Sequence, residues 1–522
     1  MLGCIAFLLM GDSRSPDALP PPNFLIILAD DMGFSDAGSY GGEIHTPNLD
    51  RIAANGLRFT QFYNTGRCWP TRSSLLTGYY AQQIRMDPPA GVLPDWALLM
   101  PHYLKPRGYR SYHAGKWHVL GAPNPIEHAG FDRSYHLVDQ DRFFSPQQHD
   151  LNDQPLPAVA REDGYYATTA ITDYALQWLN EHAEKHAEKP FLLYLAFTAP
   201  HFPLQALQED IERYRDHYRV GWDVVRQERW TRMQAQGIAT GSLPARDEHL
   251  APRYWQDELM AQIGPGEVKH AVAWEGLTEA QKRLQATKMA IHAAMIDRMD
   301  REIERVLDGL EAMGALENTV IFFLSDNGAD ATLMIRGDGH DPTALPGSAS
   351  SYLTLGPGWA TVANTPFRYH KIWVHEGGIA TPLIVHWPKG IEARGELRHT
   401  VGHVIDLVPT ILDLAGAQTS TARQHPNAPP LPGRSLVPVF DSDSAIDRDF
   451  LFFHHEGNRA LRVGDDKLVS AKENGHTWEL YDLGQDRSET LDLATQQPGR
   501  IEQLKGLWEA LERTFRQQAG PP

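Results

Sequence analysis

The chain has 522 residues, a formal net charge of −18 and 42% hydrophobic residues. This length predicts a large α/β domain with a smaller one beside it, and the hydrophobic content excludes a disordered chain. The acidic balance disfavours nucleic acid as a partner, so an anionic ligand would need a locally cationic site. No stretch reaches the ~20 apolar residues that a membrane span requires.

The first 22 residues form an N-terminal segment ahead of the first predicted strand. Residues 5–10 are apolar, and the stretch that follows is rich in proline. We interpret the segment as the remnant of a secretory signal, which favours a periplasmic or secreted location, with a disordered terminus as the open alternative. Cys4 lies here, and Cys68 is the only other cysteine, so no disulfide framework is expected.

Short apolar runs predict the strands of a large, mostly parallel sheet flanked by helices. The runs are residues 24–29, 191–197, 320–324 and 383–387. Each is nearly continuous in apolar residues, as expected for parallel strands buried on both faces. Helical patterns at residues 166–182 and 279–313 separate them. Because ligands bind beyond the carboxyl ends of such strands, polar residues that follow the first three runs should meet in space.

The end of the chain has a different pattern. Proline and glycine cluster at residues 424–433, which predicts a linker between a catalytic domain at 23–435 and a C-terminal subdomain at 436–522. The C-terminal segment carries strand-like runs at 450–454, 460–463 and 467–470, then a helical pattern at 500–517. We expect a small antiparallel sheet with one helix.

The sharpest chemical feature is the pentapeptide Cys68-Trp69-Pro70-Thr71-Arg72. Pro70 suits the first position of a helix, and Gly78 suits its end. Cys68 would then lie at a helix N-terminus, where free N–H groups favour an anion, with Arg72 one turn along the same face. On this pentapeptide alone, a buried and inert cysteine is an equally open interpretation.

Two polar pairs follow predicted strands, namely Asp30-Asp31 and Asp326-Asn327. They offer only oxygen ligands, which suit a hard cation such as Ca²⁺ or Mg²⁺ better than zinc. Taken singly, each pair could be an ordinary turn at the end of a strand. Four such groups at one sheet edge, however, are costly to bury without a cation.

With Leu75-Leu76-Thr77-Gly78 after it, the pentapeptide resembles the signature of the type I sulfatases of the alkaline phosphatase superfamily. The segments 214–274 and 354–359 resemble the arylsulfatase-like branch of that family. The resemblance continues in order along nearly the whole chain. Its further blocks are Asn23 to Gly33, His45 to Asp50, Gly115-Lys116-Trp117-His118, Ala199-Pro200-His201, Ser325-Asp326-Asn327-Gly328 and Pro366 to Gly378. The chain departs from the family at Tyr79, where arginine is common, which bears on recognition by the maturation enzyme.

This resemblance implies an alkaline-phosphatase-like fold and a hydrolase that cleaves aryl or carbohydrate sulfate esters. It implies that a formylglycine-generating enzyme oxidises Cys68 to formylglycine and that one calcium ion is bound. The implied metal ligands are Asp30, Asp31, Cys68, Asp326 and Asn327, and the implied catalytic residues are Cys68, Arg72, Lys116, His118, His201 and Lys371. His201 would protonate the leaving group with help from Lys371, and His118 would act in the later release of sulfate.

Several assignments stay open at the level of sequence. Arg368 and His370 compete with Lys371 for its role, while His102, His113, His292 and His375 are interpreted as structural. The aromatic segment at residues 214–274 is either a wall beside the pocket or ordinary packing. Two other functions remain as alternatives, a formylglycine-dependent phosphonate or phosphate diester hydrolase and an idle binder of sulfated glycans.

Overall fold

The computed structural model describes residues 21–87, 91–249, 258–417 and 425–521. Most of the predicted N-terminal segment, including Cys4, therefore lies outside the described residues, and the predicted location stays a prediction. Within the described ranges, no helix is long and apolar enough to cross a membrane.

A sheet of eleven strands forms the centre of the described structure. Its strands are β1 (Asn23–Ala29), β2 (Leu57–Tyr63), β3 (Arg110–Gly115), β4 (Arg133–Leu137), β5 (His149–Leu151), β6 (Gln154–Pro155), β7 (Phe191–Ala196), β8 (Thr319–Ser325), β9 (Ala380–His386), β10 (Glu396–Arg398) and β11 (Gly402–His403). The strand order is β10-β2-β9-β8-β1-β7-β3-β4-β5-β6, and β11 pairs with β2.

The central strands of this sheet are parallel. β1 pairs in parallel with β7 and β8, and β3 does so with β7 and β4. Every residue of β7 and β8 is buried, which explains their continuous apolar sequences. The prediction of a large, mostly parallel α/β sheet is therefore confirmed.

The prediction was wrong for one strand, because β9 runs antiparallel to both of its neighbours, β8 and β2. An apolar run reports that both faces are buried, but it carries no information about direction. The reversal matters for the site. The amino end of β9, and the segment that leads into it, lie at the same edge as the carboxyl ends of β1, β7 and β8.

Helices cover both faces of the sheet. They are α1 (Pro47–Ala54), α2 (Cys68–Thr77), α3 (Met100–Leu104), α4 (Ala167–Lys185), α5 (Gln208–Glu212), α6 (Trp222–Ala235), α7 (Glu258–Ile263), α8 (Glu279–Ala312), α9 (Pro357–Ala363), α10 (Glu376–Ile379), α11 (Leu407–Leu414) and α12 (Pro498–Ala519). The two predicted helices appear as α4 and α8. Their apolar stripes are buried in one hydrophobic core together with side chains of β1 and β7.

The C-terminal part forms a separate antiparallel sheet, as predicted, and α12 packs on it. Its strands are β12 (Leu451–His455), β13 (Asn458–Val463), β14 (Asp466–Ser470) and β15 (Trp478–Asp482). The sequence prediction missed β15, which is short and only partly buried, so it has no apolar run. The predicted domain boundary at residue 435 stays a prediction.

Candidate active site

The predicted polar residues converge because their strands end at one edge. Asp30 follows β1, Lys116 follows β3, His201 lies shortly after β7, and Asp326 follows β8. Hydrogen bonds between the strand ends fix this edge. The Asp30 amide donates to the Ala199 carbonyl at 3.0 Å, and the Asp31 amide donates to Oδ1 of Asp326 at 3.3 Å. Residues from widely separated parts of the chain thus form one buried cluster.

Cys68 reaches the same edge through β2, which runs into α2. The helix begins at Cys68 and ends at Gly78, whose φ of 79° is the left-handed conformation that glycine adopts readily. The expected end is confirmed, but Pro70 occupies the third helical position rather than the first. It is tolerated there because the N–H groups of the first turn have no partner within the helix.

The Cys68 side chain is buried among charged groups. Burial alone would raise the pKa of its thiol, but Lys116 and Lys371 together hold that pKa below its ordinary value. The thiol therefore lies in a locally cationic environment, although the chain as a whole is acidic. Such an environment distinguishes a chemically active cysteine from an inert one.

Two lysines contact the first acidic pair. Lys116 Nζ donates to Oδ2 of Asp30 at 2.6 Å, and Lys371 Nζ donates to both oxygens of Asp31 at 2.6 and 2.8 Å. Burial still raises the pKa of Asp30, and it raises the pKa of Asp31 to about 7. The two lysines thus do not fully compensate the buried carboxylates.

The donor set fits a hard cation. Asp30 Oδ1 and Asn327 Oδ1 are buried and have no hydrogen-bond partner among the described residues. The Asn327 amide nitrogen donates to Oδ1 of Asp31 at 2.7 Å, which turns its carbonyl oxygen away from that contact. Asp30, Asp31 and His201 also offer ligand atoms within 4.8 Å of one another. Unpartnered buried oxygens of this kind suit calcium.

Arg72 connects the helix to the acidic cluster. Its Nε and Nη2 lie 2.9 and 2.8 Å from Oδ2 of Asp326, and its Nη1 donates to the Lys116 carbonyl at 2.8 Å. Both Arg72 and Asp326 are fully buried. This buried ion pair, with the hydrogen bond from Nε, links α2 to the end of β8.

The two predicted histidines both border the cluster. His201 places Nε2 at 3.7 Å from Oδ2 of Asp31, while its Nδ1 contacts the carbonyl of Phe202. His118 has a positive φ of 53°, and its buried Nδ1 has no hydrogen-bond partner among the described residues. Burial, with a further contribution from the nearby lysines, holds the pKa of both imidazoles well below the ordinary value.

The structure brings Lys371, rather than its competitors, to the acidic pair. Arg368 turns away and donates to the Tyr481 hydroxyl and the Glu489 carbonyl of the C-terminal part. His370 is buried, and burial lowers its pKa to about 4.

Asp330, which the sequence analysis did not single out, lies 3.4 Å from Lys371 Nζ. A lone aspartate in a loop gives no signal by itself. Its position three residues after Asn327 was the available clue.

The C-terminal sheet holds the segment that carries Lys371. Asn458 donates to the Ile372 carbonyl at 3.1 Å, and Lys467 Nζ lies 2.9 Å from Glu376 and 2.7 Å from Glu489. Lys467 and both glutamates are buried. The small sheet therefore supports one wall of the candidate active site.

The aromatic segment at residues 214–274 is explained by packing where the structure describes it. Trp222 and Trp274 are buried and pack edge-on against each other and against Trp359. Their ring faces are therefore occupied. The part of this segment at residues 250–257, with Tyr254 and Trp255, lies outside the described residues.

The four histidines interpreted as structural have local partners in the protein. His292 Nε2 lies 3.1 Å from Asp36, and His113 Nδ1 lies 2.9 Å from the Ser134 hydroxyl. His375 contacts Glu479 at 3.3 Å, and the backbone amide of Leu99 donates to His102.

Comparison with known proteins agrees with this geometry. A family model described as Sulfatase matches residues 22–417, and a model described as N-sulphoglucosamine sulphohydrolase, C-terminal, matches residues 367–517. The chain is 31% identical to an arylsulfatase of Klebsiella aerogenes over 84% of this chain and 96% of that protein. It is 31% identical to an uncharacterized sulfatase of Schizosaccharomyces pombe over 93% of this chain and 92% of that protein.

Solved structures share the fold. One is a protein in complex with its substrate D-glucosamine-2-N,6-O-disulfate, with a TM-score of 0.65, 20% identity, and coverage of 95% of this chain and 99% of that chain. The chain therefore belongs to the sulfatase family, as its motifs predict, and it is an enzyme of the type I sulfatase class.

Proposed function

We propose that the protein hydrolyses sulfate esters by means of a formylglycine made from Cys68 and one bound calcium ion. The observation that carries the proposal is the setting of Cys68. The thiol is buried at the start of α2, between Lys116 and Lys371 and beside a cluster of oxygen ligands with unpartnered atoms. A sulfate group needs such a local concentration of positive charge.

The metal ligands would be Asp30, Asp31, residue 68, Asp326 and Asn327. When bound, calcium would supply positive charge at the sulfate oxygens and at residue 68. Formylglycine, made by a formylglycine-generating enzyme, would supply a hydrated aldehyde as the nucleophile that an unmodified thiol cannot replace.

The chain's own cations would bind the sulfate group. Lys116 and Lys371 flank residue 68, and Arg72 reaches the same cluster through Asp326. These groups are already held by buried ion pairs, so little reorganisation is needed when substrate binds. Preorganised charge of this kind stabilises the charge that develops in the transition state.

The two histidines would move protons at opposite stages. His201 donates its Nδ1 proton to the Phe202 carbonyl, so its Nε2 carries a proton only in the imidazolium form. The negative charge of a bound sulfate ester would favour that form over the neutral form of the free site, and Nε2 would then protonate the departing alcohol oxygen, assisted by Lys371. The low pKa of His118 keeps its imidazole neutral, which suits a base that removes a proton during release of sulfate.

Mass spectrometry combined with kinetics tests the proposal. Protein co-expressed with a formylglycine-generating enzyme should carry the aldehyde or its hydrate at residue 68 and should hydrolyse nitrophenyl sulfate. Cys68→Ala should fold but lose turnover, because alanine replaces cysteine at a helix start at modest cost. Full activity with an intact thiol throughout the sample contradicts the proposal. Faster turnover of an aryl phosphonate than of the sulfate would favour the diester hydrolase instead.

A further inference from the structure

The side chain of Phe202 lies between His201 and a charged residue on a different loop. The Phe202 ring stacks on the imidazole of His201 with a centroid distance of 4.2 Å and an interplanar angle of 29°. Arg336 places Cζ at 5.0 Å from the centroid of the same ring. Because His201 is assigned to the leaving group, Arg336 lies on the side of the site where that group departs.

Arg336 is held by a two-point ion pair. Its Nε and Nη2 contact the two carboxylate oxygens of Asp141, with Nη2 at 2.8 Å from Oδ1. The Arg336 side chain is 42% exposed and that of Asp141 is 19% exposed, so the pair is accessible from solvent. A pair formed in this way has a fixed orientation and leaves Nη1 of Arg336 outside the contact with Asp141.

The loop that carries Asp141 also reaches the other side of the site. Gln140, its neighbour in sequence, lines a groove of about 290 Å³ together with Lys116 and His118. This loop therefore lines the groove beside His118, and through Arg336 it supports the ring that stacks on His201.

We propose that Arg336 and Asp141 form a binding subsite for the hydroxyl groups of a sulfated sugar, a proposal that rests on the sulfate-ester hydrolysis proposed above. The pair is neutral as a whole and presents donors beside acceptors. A hydroxyl group can accept from Arg336 and donate to Asp141 at once.

The surroundings disfavour a plain aromatic leaving group at this position. An aryl group would need a free aromatic or apolar face to stack on. The Phe202 ring is 7% exposed and is covered by His201 and Arg336, and the rings of Trp222 and Trp274 are buried against Trp359. At this position the polar pair therefore favours a group that carries hydroxyls over an apolar one.

Substrates that differ only in their hydroxyl groups test this subsite. The probes are a hexose sulfated on its exocyclic oxygen, cyclohexylmethyl sulfate as its hydroxyl-free counterpart, and nitrophenyl sulfate. Arg336→Gln and Asp141→Asn should each raise KM for the hexose sulfate roughly tenfold, because each removes a charged hydrogen-bond partner. The KM values for the other two substrates should change less than about twofold, because neither substrate has hydroxyl groups that could bind the pair.

The matched control is Arg305→Gln, whose side chain is also 42% exposed and which removes an ion pair with Asp173 between α8 and α4. It should leave all three substrates unchanged. Equal increases in KM for the hexose sulfate and for cyclohexylmethyl sulfate would mean that Arg336 acts only through His201. This result would overturn the subsite. If the wild type hydrolyses nitrophenyl sulfate but no hexose sulfate, the subsite is also overturned, while the proposed function stands. No turnover of any sulfate ester by matured enzyme contradicts both.

Discussion

Lys371 Nζ lies 2.6 and 2.8 Å from the two carboxylate oxygens of Asp31, and both side chains are buried. Burial alone would lower the pKa of this lysine, but Asp31 and Asp330 raise it above its ordinary value. The ammonium group is therefore a fixed positive charge beside residue 68. Such a charge can bind a sulfate oxygen without waiting for a proton.

This contact predicts different outcomes for Lys371 and for its sequence neighbour. Lys371→Gln should lower kcat about a hundredfold or more, since it removes one preorganised charge at the reacting group. Arg368→Gln should mainly lower the unfolding temperature, because Arg368 contacts Tyr481 and Glu489 of the C-terminal part. Steady-state kinetics and calorimetry on both variants check this. The opposite pattern would assign the catalytic role to Arg368.

The oxygen-ligand cluster predicts a calcium requirement. Chelation should abolish activity, and added calcium should restore it and raise the melting temperature, because a ligand that binds only the folded state stabilises it. Asp326→Asn should weaken calcium binding in isothermal titration calorimetry while keeping the shape that packs against Arg72. Asp338→Asn, at an exposed ion pair, is the control and should bind calcium normally. Full activity of a preparation shown by elemental analysis to be metal-free would rule out the proposed cage.

The buried cluster around Lys467 predicts a large effect on stability. Lys467→Met leaves Glu376 and Glu489 buried without their shared cation, which should cost about 3–5 kcal/mol of unfolding free energy. Lys505→Met removes an exposed ion pair and should cost less than about 0.5 kcal/mol. Thermal or urea unfolding compares the two. Similar midpoints would show that the cluster contributes little to stability.

The same cluster predicts how stability depends on pH. Burial alone would raise the pKa of Glu376, but Lys467 and Arg487 lower it to about 2. A carboxyl whose folded pKa is lowered stabilises the fold above its unfolded pKa of about 4.3, and this contribution is lost as the pH falls towards 2. Glu376→Gln should therefore have a shallower loss of stability between about pH 4 and pH 2 than the wild type. Unfolding measurements across this pH range check the prediction. It is contradicted if the unfolding free energies of the two proteins fall in parallel as the pH decreases.

The sequence carried information on some elements and not on others. The runs in β1, β7 and β8 were predictable because strands buried on both faces must be continuously apolar. The direction of β9 was not predictable, since direction depends on how the connecting segments cross the sheet.

The candidate site shows the same division. The motif around Cys68 and the polar pairs after β1 and β8 carry a local signal, whereas Asp330 and Arg336 do not. Asp330 is important because it lies close to Lys371, and Arg336 because it lies close to the Phe202 ring. Both contacts exist only when the loop is folded.

The last prediction separates the roles of His201 and His118. His201 is proposed to protonate the leaving group, so its loss should hurt poor leaving groups most. A nitrophenolate departs with little help from an acid, whereas a sugar alkoxide does not. His201→Ala should therefore lose at least about a hundredfold more rate on an alkyl or sugar sulfate than on nitrophenyl sulfate.

His118 is proposed to act after the alcohol has left, in a step common to all substrates. His118→Ala should therefore release one equivalent of phenol in a burst and then stall, and each chain should retain one sulfate, visible as a mass increase. Rapid-mixing kinetics and intact-protein mass spectrometry measure both signals. A burst with retained sulfate in the His201 variant, and neither in the His118 variant, would mean that the two roles are reversed. If neither variant distinguishes leaving groups or retains sulfate, the two histidines do not divide the proton transfers in this way.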